Sequence, residues 1–370
     1  MRHIYLDYNT TTPLAPEVQE AMVPFLAEFY GAPTGSHWLA RASAEAIEDT
    51  RSRVGTLIGA AREDLVFTSG GTESVNLAIK GTMLRQRPMA AHLVVTAADH
   101  GCVLEVARFL ESWGCEISIA PVTGQGVVTA SAIEALLRPE TVLVSVPHAA
   151  CDTGTIQPIR AIADVCHRNE IALHVDAVQT VGKLPIAVDE MDVDLLSLSG
   201  HKLYGPKGVG ALYVRQGLAL EPLIHGPGHE AGLRGGTQNI VGLVGLGRAA
   251  TLARESLEEL APRLTKLRDR LLAGLCATLG QHLVVFGEKV LRLPNTLCVS
   301  FPGVAAEDLL TRASEVCGLP LGASAMLLAM GVPAKDARGA VRLSVGRYTT
   351  EEEVDRAITT LASAWESLRA

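Results

Sequence analysis

The chain has 370 residues, of which 48% are hydrophobic and 19% are charged. This length and apolar content allow a large domain and a smaller one with buried cores, and they exclude a disordered, fibrous or repetitive chain. The formal net charge of -8 argues against binding to nucleic acid or to an acidic membrane surface. No apolar run reaches the roughly 18 residues of a membrane span, and no signal-peptide pattern is present, so we predict a cytoplasmic protein that acts on a small molecule.

The cysteines show neither a CxxC motif nor the Cys and His spacing of a metal site. Because their number is odd and their neighbours are mostly apolar, we expect reduced cysteines and no bound metal. The seven are Cys102, Cys115, Cys151, Cys166, Cys276, Cys298 and Cys317.

Strand and helix patterns alternate through the first two thirds of the chain. This alternation is typical of a doubly wound α/β fold with a mostly parallel sheet. The predicted elements are a strand over residues 3–7, a helix from Pro16, a helix over 42–58, and strands over 65–68, 92–96, 116–122, 141–146 and 172–183.

The strand over 65–68 runs into the stretch SGGTES. Gly70 and Gly71 allow close approach of the backbone there, and Thr72 opens a helix whose first N–H groups are free. Free N–H groups at the positive end of a helix dipole bind phosphate well. The pattern predicts a phosphate-binding turn, although a plain helix-capping turn would have a similar sequence.

Polar side chains lie near the ends of two predicted strands. His100 comes just after the strand over 92–96, and the strand over 172–183 carries Asp176 and Gln179 near its end. A strand that is apolar on both faces and finishes in a carboxylate is typical of a central parallel strand with a functional acid at its carboxyl end.

The stretch LLSLSGHKLYGPKGVGALYVR, residues 195–215, predicts a buried strand, a tight turn with Ser199, His201 and Lys202, and a returning strand over 209–214. Apolar flanks should lower the pKa of Lys202 and make it an imine-forming amine. A Schiff-base lysine and an acid such as Asp176 on neighbouring strand ends are what pyridoxal phosphate requires. An ordinary turn lysine remains the alternative for this stretch taken alone.

The last third predicts a helix over 240–279, strands near 282–286 and 295–301, and Arg342 on a further strand. A closing helix follows Thr349, with Thr349 and Glu352 as its capping box. We predict three parts: residues 1–16 cover the active site, 17–250 form a large cofactor-binding domain, and 251–370 form a small α/β domain.

HVDAVQ and SGHKLYGPKGVGALYVR, together with the earlier YLDYNTTTP and TSGGTESVNLAIKG, resemble the cysteine desulfurase family of class V aminotransferases. The resemblance runs from Ile4 to about the last helix. It implies a fold type I enzyme that depends on pyridoxal phosphate, with a mostly parallel seven-stranded type of sheet in the large domain. It also implies a homodimer.

The same resemblance assigns roles to individual residues. It implies catalytic roles for Lys202, His100 and Asp176, with His100 stacked on the pyridoxal ring, and it makes Arg342 a clamp for the substrate carboxylate. In the family a threonine of the stretch GPGHEAGLRGGTQN reaches the cofactor phosphate of the partner subunit. The implied cofactor contacts are Gly71, Thr72, His100, Asp176, Gln179, Ser199, His201, Lys202 and Thr237.

The chain also departs from the family pattern. Ala32, and Ala150 with Cys151, stand where the family usually has asparagines. The family's mobile loop carries a cysteine that takes sulfur from the substrate as a persulfide. Here the corresponding stretch, CGLPLGASAMLLAMGVP, lacks most of that loop, and Ala325 or Met326 stands near the nucleophile's place. Neither side chain can attack sulfur, which requires a thiolate.

The leading prediction is therefore a lyase that cleaves the side chain of cysteine or a cysteine-like amino acid without a loop persulfide. Cys151 and Cys317 are conceivable replacements for the nucleophile, and a sulfur-acceptor protein is a conceivable partner. Transamination or decarboxylation by the same residues is a second hypothesis. A family member that binds cofactor or a partner without catalysis is a third.

Overall fold

The computed structural model describes residues 3–86 and 91–369. Its strands are β1 Ile4–Tyr5, β2 Leu65–Thr68, β3 His92–Thr96, β4 Glu116–Ala120, β5 Thr141–Pro147, β6 Ala172–Asp176, β7 Leu195–Ser199, β8 Gly210–Val214, β9 Val284–Phe286, β10 Thr296–Ser300, β11 Val316–Cys317, β12 Leu319–Pro320 and β13 Ala340–Ser344. Its helices are α1 Pro16–Ala27, α2 Trp38–Ile58, α3 Gly71–Gln86, α4 Gly101–Ser112, α5 Ala130–Glu134, α6 Ile159–Arg168, α7 Val188–Met191, α8 Ile240–Leu279, α9 Ala306–Arg312, α10 Ala325–Ala329, α11 Ala334–Ala337 and α12 Glu351–Arg369.

A seven-stranded sheet, counted over the described residues, has the strand order β2–β8–β7–β6–β5–β3–β4. Strands β4, β3, β5, β6 and β7 pair in parallel, whereas β8 pairs antiparallel with β7 and with β2. Every residue of β3 and β7 is buried. Such strands, covered on both faces, have apolar runs instead of an alternating pattern. The predicted α/β fold with a mostly parallel sheet is confirmed.

The sheet brings the carboxyl ends of six strands to one edge. Since β2 and β7 are both antiparallel to β8, β2 runs in the same direction as β3, β4, β5, β6 and β7. The segments that follow these six strands therefore meet on the same side. In open α/β sheets this is the edge where ligands bind.

A second, antiparallel sheet of order β12–β13–β10–β9 lies in the carboxyl-terminal part of the chain. Helix α8 contributes to two hydrophobic cores: Leu246 and Ala249 belong to the core of the large sheet, whereas Leu264 and Leu271 pack with β10, β13 and α12. The predicted boundary after residue 250 lies within this continuous helix. The division into residues 1–16, 17–250 and 251–370 stays a prediction.

Several predicted strands are shorter in the structure, including those over 116–122 and 295–301, and two of the differences affect residues near the cavity. The strand predicted over 3–7 is Ile4–Tyr5, and Asp7 forms an isolated bridge with Ser344. The strand predicted over 172–183 ends at Asp176, because its carboxylate accepts the N–H of Val178 at 3.0 Å and turns the chain. Gln179 consequently lies in the turn after β6.

The capping box of α12 is one residue further along than predicted. Thr350 Oγ1 accepts the N–H of Glu353 at 3.1 Å, and Glu353 Oε2 accepts the N–H of Thr350 at 3.0 Å. Thr349 is buried and its Oγ1 accepts the N–H of Gly346 at 2.9 Å instead. The prediction of a Thr349 and Glu352 box was therefore wrong in register, although the box exists.

Candidate active site

A cavity of about 580 Å³ lies at the carboxyl edge of the large sheet. It is closed by the amino-terminal segment, by β13 and by the start of α10. The predicted site residues that line it are Gly71, Thr72, His100, Asp176, Gln179, Ser199, His201, Lys202 and Arg342. The remaining predicted contact, Thr237, is not among the lining residues.

Lys202 stands in a single 3-10 turn, Gly200–Lys202, that follows β7 directly. Its Nζ donates to the backbone carbonyl of Thr10 at 2.7 Å and also to that of Asn9. Burial and the positive charge of Arg342 lower the pKa of the Lys202 amine to about 8. A substantial fraction of the amine is therefore neutral near neutral pH, and only the neutral amine attacks an aldehyde.

Asp176 ends β6 next to β7, and only 7% of its surface is exposed. Burial raises the pKa of its carboxyl group, and the Val178 N–H and the nearby side chains of His100 and Lys202 act in the opposite direction. A buried carboxyl group in a cavity with positive neighbours is suited to bind a protonated ring nitrogen.

The turn between β2 and α3 exposes the first N–H groups of a 16-residue helix. A Cβ at Gly71 would stand 2.8 Å from Cγ2 of Val178, so a larger residue here would require Val178 to shift. An open depression next to the cavity continues from this helix end. Its lining residues are Thr11, Ser69, Gly70, Gly71, Thr72, Glu73, Ser199, His201, Lys207 and Gly208. Helix N–H groups, hydroxyl groups and a lysine together favour an anion such as phosphate.

His201 borders both the cavity and the depression. Its Nδ1 and Thr11 Oγ1 are hydrogen-bonded at 3.1 Å. Burial and the charges of Lys202 and Lys207 lower the pKa of His201 to about 4. The imidazole is therefore neutral at pH 7 and can donate or accept one hydrogen bond at its other nitrogen.

His100 forms the N-cap of α4. Its Nδ1 accepts the backbone N–H of Cys102 at 3.1 Å, which leaves Nε2 free toward the cavity. This hydrogen bond fixes the ring orientation. An imidazole held in this way can stack on a planar ligand or exchange a proton with it.

Gln179 offers an unused hydrogen-bond acceptor in the cavity. Its Nε2 donates to the backbone carbonyl of Asn9 at 2.9 Å, whereas its buried Oε1 has no partner among the described residues. Buried polar atoms are rarely left without a partner in native proteins. The atom therefore indicates a ligand with a hydroxyl group or another donor at this point.

Arg342 lies on β13 and its side chain is 4% exposed. Its Nη2 donates to Asp7 Oδ1 and to Thr10 Oγ1, and its Nη1 donates to the backbone carbonyl of Cys151. The guanidinium faces the same cavity as Lys202. It is the cation suited to a carboxylate at this end of the cavity.

Thr237 lies in an exposed part of the loop between β8 and α8. The loop itself is anchored on both sides of this residue. Arg234 Nε forms an ion pair with Glu73 Oε1 at 3.1 Å, and Gln238 Nε2 donates to buried Glu230 at 2.8 Å. The structure thus presents Thr237 outward from its own cavity, and a contact with a partner subunit stays a prediction.

The two cysteines considered as nucleophiles lie in different places. Cys151 lines the cavity, and its thiol donates to Asp152 Oδ1 at 3.3 Å. Burial and the charge of Asp152 raise the pKa of Cys151 well above its usual value, so the free protein holds the thiol form. Cys317 is exposed on β11 and is not among the residues that line the cavity.

The stretch in which the sequence predicts a shortened loop lies between β12 and α10. Residues 321–324 connect these two elements, and Ser324 Oγ accepts the N–H of Leu327 at 3.3 Å as the cap of α10. Ala325 and Met326 line the cavity. A connection of this length cannot swing a side chain in and out of the site, which agrees with the shortened sequence.

Sequence reasoning missed four residues that shape the site. Asp7, Asn9 and Thr10 bind Arg342, Gln179 or Lys202, and their signal is the run of polar residues in YLDYNTTTP. The fourth, Asp99, accepts two hydrogen bonds from Thr96 on Oδ2, while its buried Oδ1 lacks a partner. Burial raises the pKa of Asp99 well above its usual value. Its signal is its place directly before His100.

Residues 3–86 and 91–369 contain no group of three or more His, Cys, Asp or Glu side chains that could hold a metal ion. None of the helices in this described part of the chain combines the length and the apolar character that crossing a membrane requires.

Comparisons with known proteins agree with the motifs and the geometry. A family model described as aminotransferase class-V matches residues 4–357. Cysteine desulfurase IscS of Dictyoglomus turgidum is 40% identical over 378 residues, which cover 100% of this chain and 96% of that protein. A solved NifS-like protein has a TM-score of 0.93 and 37% identity, over 98% of each chain. A structure of SspA in complex with cysteine has a TM-score of 0.82 and 34% identity, over 94% of this chain and 99% of SspA. The chain therefore belongs to the class V aminotransferase family and is a relative of the cysteine desulfurases.

Proposed function

We propose that this enzyme uses pyridoxal phosphate to cleave the side chain of cysteine, or of a cysteine-like amino acid, without a persulfide on a loop cysteine. One observation carries the proposal. The amine of Lys202, the carboxyl group of Asp176 and the guanidinium of Arg342 line one cavity, and the connection between β12 and α10 beside it, residues 321–324, has four residues and no cysteine.

The residues of the cavity fit the cofactor. Gly71, Thr72, Ser199 and His201 would hold the phosphate in the depression at the start of α3. Asp176 would pair with the ring nitrogen, and His100 would stack on the ring. The unpartnered Oε1 of Gln179 is suited to a ring substituent. When bound, pyridoxal phosphate supplies an aldehyde for covalent attachment and a ring that accepts an electron pair.

The side chains of the cavity have separate roles in substrate binding and proton transfer. Arg342 binds the α-carboxylate of the substrate, and Asp176 keeps a proton at the ring nitrogen. Lys202 would accept the proton from the α-carbon of the substrate, and the imidazole of His100 in the same cavity is the other candidate for that role. The lowered pKa of Lys202, about 8, suits an amine that must both lose and accept a proton near pH 7.

The substrate assignment rests on relatives and on the site. SspA, a solved neighbour, was crystallised with cysteine. Elimination from cysteine, with the uptake of one water, yields pyruvate, ammonia and sulfide, and it needs no protein nucleophile because the sulfur leaves with the electron pair of its bond to carbon. This reaction therefore suits a site in which Ala325 and Met326 occupy the nucleophile's side of the cavity.

The test is the absorbance spectrum of the purified protein, followed by titration with cysteine, cysteine sulfinate, selenocysteine and alanine. We expect a yellow protein that releases pyruvate and sulfide from cysteine in equal amounts, and a K202A variant that releases neither. A keto acid with pyridoxamine phosphate would instead show a transaminase. A yellow protein whose spectrum never changes would show a cofactor-binding protein without this chemistry.

C151S and C317S variants decide whether either cysteine replaces the loop nucleophile. We expect both to keep turnover, since the pKa of the Cys151 thiol is raised and Cys317 lies outside the cavity. The products must be measured with and without an added thiol. Loss of sulfur release in C151S, together with alanine in place of pyruvate in the parent enzyme, would establish sulfur transfer to Cys151.

A further inference from the structure

The guanidinium of Arg342 has partners before any ligand arrives, and two of them belong to the amino-terminal segment. Its Nη2 donates to Asp7 Oδ1 at 2.9 Å and to Thr10 Oγ1 at 2.7 Å. Its Nη1 donates to the backbone carbonyl of Cys151 at 3.1 Å, and its buried Nε has no partner among the described residues. Both N–H groups of Nη2 are therefore already in use.

This use of Nη2 matters because of the shape of the guanidinium. A carboxylate makes a two-pronged contact either across Nη1 and Nη2 or across Nε and Nη2. Both arrangements require an N–H group of Nη2. The substrate carboxylate can thus bind Arg342 in two-pronged fashion only if Asp7 or Thr10 leaves Nη2.

Thr10 is the better placed of the two to leave. It is exposed and lines the cavity, and its hydroxyl already lies 2.9 Å from Asp7 Oδ1, to which it donates. It therefore keeps a hydrogen bond when a carboxylate takes its place on Arg342. A charged acceptor also binds an arginine N–H more strongly than a hydroxyl does.

Asp7 is held in place by the surrounding strands. Its backbone forms a bridge with Ser344 at the end of β13, close to Arg342 on the same strand. Its side chain is 15% exposed, and it is the carboxylate partner of a guanidinium whose own side chain is 4% exposed. Removal of one partner from such a pair leaves an uncompensated buried charge, so Asp7 stays.

From this geometry we propose that Asp7 remains on Arg342 as a built-in competitor for the substrate carboxylate and thereby limits its affinity, while Thr10 is the group that is displaced. The inference rests on the proposed function, in which Arg342 binds the substrate. In this arrangement Arg342 serves two carboxylates at once. The negative charge of Asp7 weakens substrate binding and at the same time neutralises the buried guanidinium in the free enzyme.

Binding of a small carboxylate that cannot react tests this inference. The probe is 3-mercaptopropionate, which lacks an amine, and its matched neutral control is 3-mercaptopropan-1-ol. Both are titrated by calorimetry into the protein loaded with pyridoxal phosphate. We expect D7N to bind 3-mercaptopropionate about tenfold more tightly than the parent, because the competing charge is gone, and to bind the alcohol equally well.

Two further variants keep the result unambiguous. T10V removes the displaced hydroxyl without changing charge, and it too should bind 3-mercaptopropionate more tightly. If circular dichroism shows that D7N does not fold, T10V still tests the displacement of Thr10, which unchanged binding would overturn. R342K should weaken binding of the carboxylate only. Equal or weaker binding by folded D7N, with R342K still weakened, would overturn the role of Asp7. Unchanged binding by R342K would instead remove Arg342 from the proposed function.

Discussion

At the scale of single residues, the chemistry of Lys202 follows from burial. A lysine in water keeps an ordinary pKa of 10.5, whereas burial and Arg342 bring that of Lys202 to about 8. The carbonyl groups of Asn9 and Thr10 accept its hydrogen bonds without adding a negative charge. Neutral amine is therefore available at a pH about 2.5 units lower than for a surface lysine.

The attachment of pyridoxal phosphate should consequently depend on pH in a specific way. Because the neutral amine attacks, we expect the rate of attachment to the free protein to rise about tenfold between pH 7 and pH 9 and then to level off. Stopped-flow absorbance measures this rate, with K202R as the variant that cannot attach. A rate that keeps rising toward pH 10.5 would show that Lys202 has the pKa of an exposed lysine.

At this scale, some contacts of the site could be predicted from the sequence and others are visible only in the structure. Lys202 and Asp176 were predictable because each ends an apolar strand, and parallel strands end at one edge. The Asp7 contact of Arg342 was not predictable from local pattern, since the two residues are 335 positions apart in the chain. A side chain that meets its partner only through tertiary packing has no periodic signal in the sequence.

At the scale of elements, the start of α12 shows how a correct motif can be placed in the wrong register. The run TTEEE allows two capping boxes, Thr349 with Glu352 and Thr350 with Glu353. The structure selects the second, because Thr349 is buried and bonded to Gly346. Boundaries that depend on one residue are decided by packing against neighbours, which a pattern does not contain.

The register of the α12 capping box leads to a prediction about the stability of the protein. We expect T350A to lower the free energy of unfolding by about 1 kcal/mol, because the N–H of Glu353 at the start of α12 loses its acceptor, Thr350 Oγ1. E352A should have almost no effect, since Glu352 is outside the box. Urea unfolding followed by circular dichroism measures both. A larger loss for E352A than for T350A would restore the register that the sequence predicts.

At the scale of the whole molecule, the alternating strands and helices predicted the large sheet, and its carboxyl edge predicted the cavity. The second sheet was less predictable, because its strands are short and its order β12–β13–β10–β9 is set by contacts between distant segments. A single chain also cannot show what covers the open depression at the start of α3, where Thr72 and His201 are still accessible.

Thr237 is relevant to this depression, because it is exposed and does not line the cavity of its own chain. Arg234 and Gln238 anchor the loop through Glu73 and Glu230, and Thr237 between them is exposed. Glu73 also lies at the start of α3, beside the proposed phosphate site. A second chain related by two-fold symmetry at this surface could therefore place its own Thr237 against the phosphate of the first.

Mixed dimers test this arrangement. K202A removes the amine of a site, and T237D places a negative charge where a phosphate should bind, so each variant alone should be inactive. If Lys202 and Thr237 of one site come from different subunits, a mixed dimer has one fully intact site. Unfolding and refolding an equal mixture should then recover about a quarter of the parent activity, since half of the dimers are mixed. If Lys202 and Thr237 of one chain both serve that chain's own site, every site carries a defect and mixing recovers no activity. The control is T237S, which keeps the hydroxyl and should be active alone in either case.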